Sequence, residues 1–347
     1  MNYFILQHPG HNRVYYNLAD QLALAELKIA SNRLSVTCRE MGVVTLAGVR
    51  YLSLETEGTL GESDWDILSR LSFVFALYEL EEINNLSYLK PVKRIQYEYL
   101  DPKISTVWKY PGKTNELFTK MMINVALLSS DFGYHDPIQL LDPVAGKGTT
   151  LLEGAVYGFD THGIEIESKS VHEVVVFFKK FLQEERWKHT LQKRQIAGQQ
   201  KSDAVYAQEF EFAPSKEAFQ SSEHVRKLAI VEGSATRASD YFKKETFHLI
   251  VGDLPYGIFH GNNSDKKKAA GTRNPLELLT ECLPGWCQVL KKGGVIVMAW
   301  NSYLVSRQKL AEVFTTQGLN VLSEEPYDAF EHRVDKSIQR DILVAKK

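Results

Sequence analysis

Residues 139–167, QLLDPVAGKGTTLLEGAVYGFDTHGIEIE, hold the decisive pattern of this chain. Ile138, Leu140 and Leu141 are apolar and read as extended, Asp142-Pro143 ends that strand, and Gly146 and Gly148 permit a tight turn. Thr149 to Tyr157 reads as a short apolar helix, and His162-Gly163-Ile164-Glu165 as a second strand tipped by a carboxylate. A unit of this shape holds a ligand over the carboxyl ends of its strands, at the N-terminus of its helix.

Three ligands compete for that cradle. A nucleoside-triphosphate loop requires G-x4-G-K-[ST], but Lys147 is followed by Gly148 and the upstream glycine is missing. A dinucleotide fingerprint requires a third glycine, which lets helix and sheet approach, and Leu151 stands in its place. S-adenosylmethionine remains. It has no pyrophosphate, needs close backbone approach at its methionine end and needs an acid for its ribose hydroxyls. Asp142, Gly146 and Gly148, with Ala145 and Thr149 beside them, suit the first need, and Glu165 suits the second.

Outward from this unit the alternation continues. A helix from Val171 to about Trp187 turns Val174, Phe177, Phe178, Phe181 and Leu182 to a core. Residues 183–227 are polar and too long for an ordinary connection, so an insertion with a hairpin around Val205 to Phe212 is expected. Its Lys188, Lys193, Arg194 and Lys201 could touch a phosphate backbone, with a solvated face the default reading for such charges. Strands follow at Leu228–Glu232, ahead of Gly233-Ser234-Ala235, and at His248–Gly252, ahead of Asp253-Leu254-Pro255-Tyr256. A helix from Leu276 to Leu290, capped by Asn274 with Pro275 first, is expected to stop at Lys291-Lys292-Gly293-Gly294. Val295–Trp300 reads as a strand, Gln308–Gln317 as a helix, and Asn320–Ser323 and Arg340–Ala345 as the strands of a terminal hairpin. The whole predicts an α/β, doubly wound Rossmann-like sheet.

Upstream, Thr114–Leu128 reads as a helix with an apolar stripe of Leu117, Met121, Val125 and Leu128; Thr114, Asn115 and Glu116 at its start could reach a ligand, with ordinary capping the default reading. Residues 84–110 read as a connection. Residues 1–105 form a small α+β unit, with strands at Tyr3–Gln7, Leu34–Cys38, Val49–Leu54 and Phe73–Leu80. Helices at Leu18–Ile29 and Asp64–Leu71, the latter capped by Ser63, give a βαββαβ order and a ferredoxin-like expectation.

Composition sets limits. With 347 residues, 44% apolar and 24% charged, the chain is globular, with room for one large or two ordinary domains. A net charge of −2 gives no global mark of a polyanion partner, so any nucleic-acid surface must be local. Three scattered cysteines (Cys38, Cys282, Cys287) exclude a disulfide framework and a zinc motif. There is no signal-like N-terminus and no run of 18 apolar residues, and a cytoplasmic location is expected.

The segments DPVAGKGTT, GIEIE and GDLPYG together resemble the amino-methyltransferases with a (D/N)PPY-type site. With KYPGKTNELFTKMMINVALL at 109–128, residues from about 105 to 347 are most similar to the tRNA guanosine-N2 methyltransferases of the Trm11 / THUMP-associated group. The resemblance implies methyl transfer from S-adenosylmethionine to an exocyclic amine, whose lone pair is otherwise conjugated with its ring. It gives the Asp253 carboxylate and the Leu254 carbonyl the role of accepting the amine N–H groups. Pro255 stiffens the backbone behind that carbonyl, and Tyr256 offers a flat face to an extruded base. Most of the rate is then expected from alignment, without a metal.

Two positions depart from the pattern. Leu254 replaces a proline and leaves the carbonyl intact, while Gly233-Ser234-Ala235 replaces the acid that contacts the adenine amine, so Ser234, Ala235 or a backbone group is expected to serve. The expectation is an RNA N-methyltransferase acting on guanosine N2 in tRNA, with an accessory RNA-docking domain (1–105), a catalytic domain (106–347) and room for an activating protein partner. The tetrapeptide equally fits a DNA adenine-N6 or cytosine-N4 enzyme, a protein glutamine methyltransferase, or an inactive nucleic-acid-binding relative. Lys266, Lys267, Lys268 and Arg273, in the loop after Gly257, would suit a lid or phosphate clamp.

Overall fold

The computed structural model describes residues 1–8, 13–198, 204–255 and 274–347, without the side chains of 13–18. Its first part comprises β1 (Asn2–Gln7), α1 (Arg13–Ser31), β2 (Cys38–Leu46), β3 (Val49–Thr56), α2 (Glu62–Arg70), β4 (Val74–Ile83) and β5 (Leu86–Val92). The strands lie in the order β2-β3-β1-β4-β5, each neighbouring pair antiparallel. Three details correct the sequence reading. The second strand begins at Cys38 instead of ending there, because Ala47 (φ 49°) and Gly48 (φ 81°) turn the chain back and pair Leu46 with Val49. Asn84 (φ 52°) and Asn85 (φ 61°) do the same between β4 and β5, so part of the expected connection is sheet. Gly61, not Ser63, caps α2, and its N–H donates to Asp64 Oδ2 at 2.8 Å.

The second part begins with α3 (Lys103–Val107), α4 (Glu116–Ser129), β6 (Gln139–Asp142), α5 (Thr149–Val156), β7 (Asp160–Glu165) and α6 (Ser168–Glu184). It continues through β8 (Lys188–Ala197), β9 (Val205–Ala213), β10 (Arg226–Glu232), α7 (Ala238–Tyr241), β11 (Phe247–Asp253) and α8 (Pro275–Val289). It ends with β12 (Leu290–Asn301), α9 (Arg307–Thr316), β13 (Asn320–Leu322), β14 (His332–Arg333) and β15 (Gln339–Lys346). The strand order is β13-β15-β12-β11-β6-β7-β10-β9-β8. The run from β12 to β10 is parallel, and β15 lies antiparallel between β12 and β13 as part of the terminal hairpin. This is a Rossmann-like doubly wound sheet. The hairpin β8–β9 pairs antiparallel with β10 and so extends that sheet at its edge. Within it Arg194 pairs with Glu209 and Lys193 lies over the Tyr206 ring, while Lys201 is outside the described residues. The helix stop expected at Lys291–Gly294 is already strand: α8 ends at Val289, and Gly293 bonds across to Lys347 and Asp131.

Apolar side chains of α4, α5 and α6 cover one face of the large sheet, and those of α7, α8 and α9 cover the other. Helix α4 is buried along 11 of its 14 residues, and Leu117, expected on its apolar stripe, is 38% exposed. Such a helix belongs between two layers. Its Met121, Met122 and Val125 join a single cluster with Tyr3, Ile5 and Leu27 on one side and Leu140, Val251 and Val297 on the other.

Candidate active site

The turn after β6 is pinned to β7 by two bonds. Ala145 N–H donates to the Ile164 carbonyl at 2.9 Å, and Gly146 N–H donates to Glu165 Oε2 at 2.8 Å. Gly146 (φ 51°) and Gly148 (φ 77°) adopt the left-handed conformation that the sequence called for, and no described atom lies within 4 Å of where a Cβ at Gly146 would stand. The outer side of the turn is therefore open to close approach. Two further glycines, not singled out from sequence, make the packing beneath it possible. A Cβ on Gly163 would come within 2.8 Å of Leu151 and 2.9 Å of Ala145, so the strand supplies the closeness that a third glycine gives in a dinucleotide fold. A Cβ on Gly252 would stand 3.0 Å from Asp142 Oδ1, so this residue lets the end of β11 lie against Asp142. Their signal was a glycine one or two residues ahead of a strand-end acid.

Three carboxyl groups thus meet at the ends of adjacent strands: Asp142, Glu165 and Asp253. Asp142 is 3% exposed and accepts from Val144 N–H at 3.0 Å. Burial pushes its carboxyl up to about 7, with the charges of Asp253 and Glu165 adding to the effect. Glu165 is also raised by burial, although the N–H groups of Glu167 and Gly146 favour its ionised form. Crowded carboxyl groups beside an open backbone turn suit a ligand with a positive centre, which would favour their ionised forms.

Asp253 ends β11 opposite Ala299, and Leu254 N–H donates to the Ala299 carbonyl at 2.8 Å, so β12 holds the start of the tetrapeptide. The Leu254 side chain is buried and Pro255 is exposed. Tyr256 and the basic loop with Lys266, Lys267, Lys268 and Arg273 lie outside the described residues. Thr114 Oγ1 donates to Asp253 Oδ2 at 2.7 Å, and an Arg340 guanidinium nitrogen lies 3.5 Å from the same oxygen. The expected cap of α4 is thereby divided. Asn115 accepts from Leu117 and Phe118 N–H groups, Glu116 pairs with Lys113, and Thr114 turns to Asp253.

The segment from Trp108 to Thr114 runs as a strap from the glycine turn to the tetrapeptide, which sequence reasoning missed. Trp108 Nε1 donates to the Lys147 carbonyl at 2.8 Å and its ring stacks on Phe177. The Tyr110 hydroxyl shares a 2.7 Å hydrogen bond with Thr149 Oγ1. Lys147, within the turn, pairs with Glu173 at 2.7 Å and lies over the Tyr110 ring. Its traces in the sequence were the aromatic density of WKYPGKT and the share of KYPGKT in the family resemblance.

Beyond β10, Gly233 N–H donates to the Glu165 carbonyl at 2.9 Å, which places Ser234 beside that acid. Ser234 Oγ accepts from Thr236 N–H, and the Ala235 carbonyl accepts from Trp286 Nε1 at 3.1 Å. His332 is 3% exposed, bonds to the Phe330 carbonyl and packs on Phe118, whereas Arg333 is exposed.

No helix among the described residues is long and apolar enough to cross a membrane. No curated protein matches the sequence. Solved structures with a similar arrangement include TrmN from Thermus thermophilus, at 12% identity and a TM-score of 0.41; the match covers 90% of this chain and 60% of that protein's length. The fibrillarin pre-rRNA processing protein of Methanococcus jannaschii matches at 11% identity and a TM-score of 0.35, over 89% of this chain and 98% of that one. An rRNA methylase from Streptococcus thermophilus matches at 9% identity and a TM-score of 0.36, over 68% and 98%. The glycine turn, the acid on β7 and the tetrapeptide on β11 all fall within residues 113–322, which match the family described as RMKL-like, methyltransferase domain, and the chain belongs to that family of S-adenosylmethionine-dependent methyltransferases.

Proposed function

We propose that the protein methylates an exocyclic amine of RNA, with N2 of a guanosine in tRNA as the acceptor. The observation that carries this reading is the seat of Asp253: an amine-accepting carboxylate at the end of β11, in contact through Gly252 with the turn that would hold the donor. The residues present fit S-adenosylmethionine. The open side of Gly146 admits the methionine end, with Asp142 and the backbone of Ala145, Gly148 and Thr149 around it. Glu165 accepts from the N–H groups of Gly146 and Glu167, and a carboxylate has further lone pairs for ribose hydroxyls. Ser234 and Ala235, next to Glu165, border the place for the adenine. When bound, the cofactor supplies a methyl group already activated on a sulfonium. The chain's own task is then orientation. Asp253 and the Leu254 carbonyl accept the amine hydrogens and turn its lone pair, and β12 fixes that backbone. Residues 1–105 act as the RNA-docking unit beside a catalytic domain of 106–347, in which 183–227 is an insertion.

The test is to incubate the protein with labelled cofactor and bulk tRNA and digest to nucleosides; label in N2-methylguanosine is expected. Labelled DNA with unlabelled RNA would overturn the substrate. Asp253→Ala should lower transfer by roughly a hundredfold to a thousandfold while calorimetry still finds cofactor binding. Full activity in that variant would remove the mechanism.

A further inference from the structure

An acceptor that must turn a lone pair toward a methyl group works only if its own carboxylate plane is fixed. Asp253 sits at a strand end with its side chain 17% exposed, where a carboxylate is free to rotate unless other groups hold it. Two side chains reach its Oδ2 from distant parts of the chain, Thr114 at 2.7 Å and Arg340 at 3.5 Å. Both stand on rigid supports. Thr114 directly precedes Asn115, the cap of the buried helix α4. Arg340 is 4% exposed, lies in β15 opposite Asn301 of β12 and His332 of β14, and spreads its guanidinium over the Phe118 ring at 4.8 Å. Neither residue belongs to the glycine turn or the tetrapeptide.

We propose that Thr114 and Arg340 are positioning residues for methyl transfer: together they fix the orientation of the Asp253 carboxylate as the amine's acceptor. The geometry of the two partners supports this. A hydroxyl and a buried guanidinium address the same oxygen from different elements, and two such supports restrict rotation of the carboxylate more than either alone. The inference rests on the amine-transfer reading above, so its test has one arm that needs substrate and one that does not.

Thr114→Val removes the hydroxyl at nearly constant volume, and Thr114→Ser retains it. With tRNA, kcat is expected to fall roughly tenfold to a hundredfold in the valine variant, as for a lost hydrogen bond to a charged group. KM and the cofactor dissociation constant should stay within about twofold, and serine should restore kcat to within about threefold. Wild-type kcat in Thr114→Val, or serine no better than valine, overturns the proposal. The second arm needs no substrate and compares crystal structures of the variants at the Asp253 carboxylate. Its side-chain torsion angles should change in Thr114→Val and in Arg340→Gln and stay in place in Thr114→Ser. An unmoved carboxylate in Thr114→Val and Arg340→Gln overturns the proposal whatever the substrate. A wild type that methylates no tRNA, with the carboxylate still displaced in Thr114→Val, sustains the positioning role and overturns only the choice of acceptor.

Discussion

At the scale of single residues, the site is set by what is packed against Asp142. Gly252 admits its carboxylate beside β11, and the burial that results raises it from 3.8 to about 7. The sign of the linkage follows. The folded state binds this proton more tightly than the unfolded chain, so stability falls as pH rises through the window between those two values. Asp142→Asn has no such group to ionise. Its melting temperature relative to wild type should therefore be higher at about pH 8 than at about pH 5. Thermal unfolding by circular dichroism at both pH values checks this, and an equal difference at the two would show that Asp142 carries no proton in that range.

At the scale of elements, α4 connects the two sheets to the candidate chemistry. Its Asn124 is fully buried and uses every hydrogen-bonding position. The amide donates to Glu26 Oε1 at 2.6 Å and to the Arg70 carbonyl at 3.0 Å, and Oδ1 accepts from the hydroxyls of Tyr157 and Tyr134. Glu26, in α1, also accepts from Ser72 N–H, and burial raises its carboxyl. The first sheet's helix is thereby joined to the helix that begins beside Thr114, a rod of about 20 Å at 1.5 Å per residue. Asn124→Leu would take this partner from one Glu26 oxygen and from the Tyr134 hydroxyl, while the Tyr157 hydroxyl keeps the Arg70 carbonyl and Glu26 keeps Ser72. At about 1–3 kcal/mol for each buried unsatisfied group, a loss of about 3 kcal/mol or more is expected in urea denaturation. A loss below about 1 kcal/mol would mean that the network reorganises around leucine.

At the scale of the whole molecule, one apolar cluster runs from Tyr3 and Leu27 through α4 to Val297 and Val344. Removing residues 1–105 would bare the α4 face that Leu27 and its neighbours cover, together with the polar network around Asn124. We therefore expect 106–347 alone to aggregate or to lose near-ultraviolet circular dichroism, by comparison with the full chain on size exclusion. A monodisperse fragment with native-like signal would show that the catalytic part folds independently. The docking role proposed for residues 1–105 would then need a surface separate from this contact.

Much of the molecule was legible in local pattern. The unit at 139–167, the succession from β10 to α9, the Asn274 cap and the terminal hairpin follow from periodicity, glycine and capping, which act over a few residues. The hairpin turns at Ala47-Gly48 and Asn84-Asn85 carry a comparable local signal, and passing over it misplaced the second strand and omitted the fifth. The pairing of β15 between β12 and β13 lay beyond such patterns, as did the closeness required at Gly163 and Gly252 and the strap through Trp108 and Tyr110. Lys147 is the clearest case: its neighbours in sequence say nothing of Glu173. By itself the sequence determined which strands end in acids and glycines, because backbone conformation is a local property. Only the tertiary structure decided that Thr114 and Arg340, 226 residues apart, meet on one oxygen of Asp253. That meeting depends on the pairing of β15 with β12 and on the buried helix α4 that starts beside Thr114.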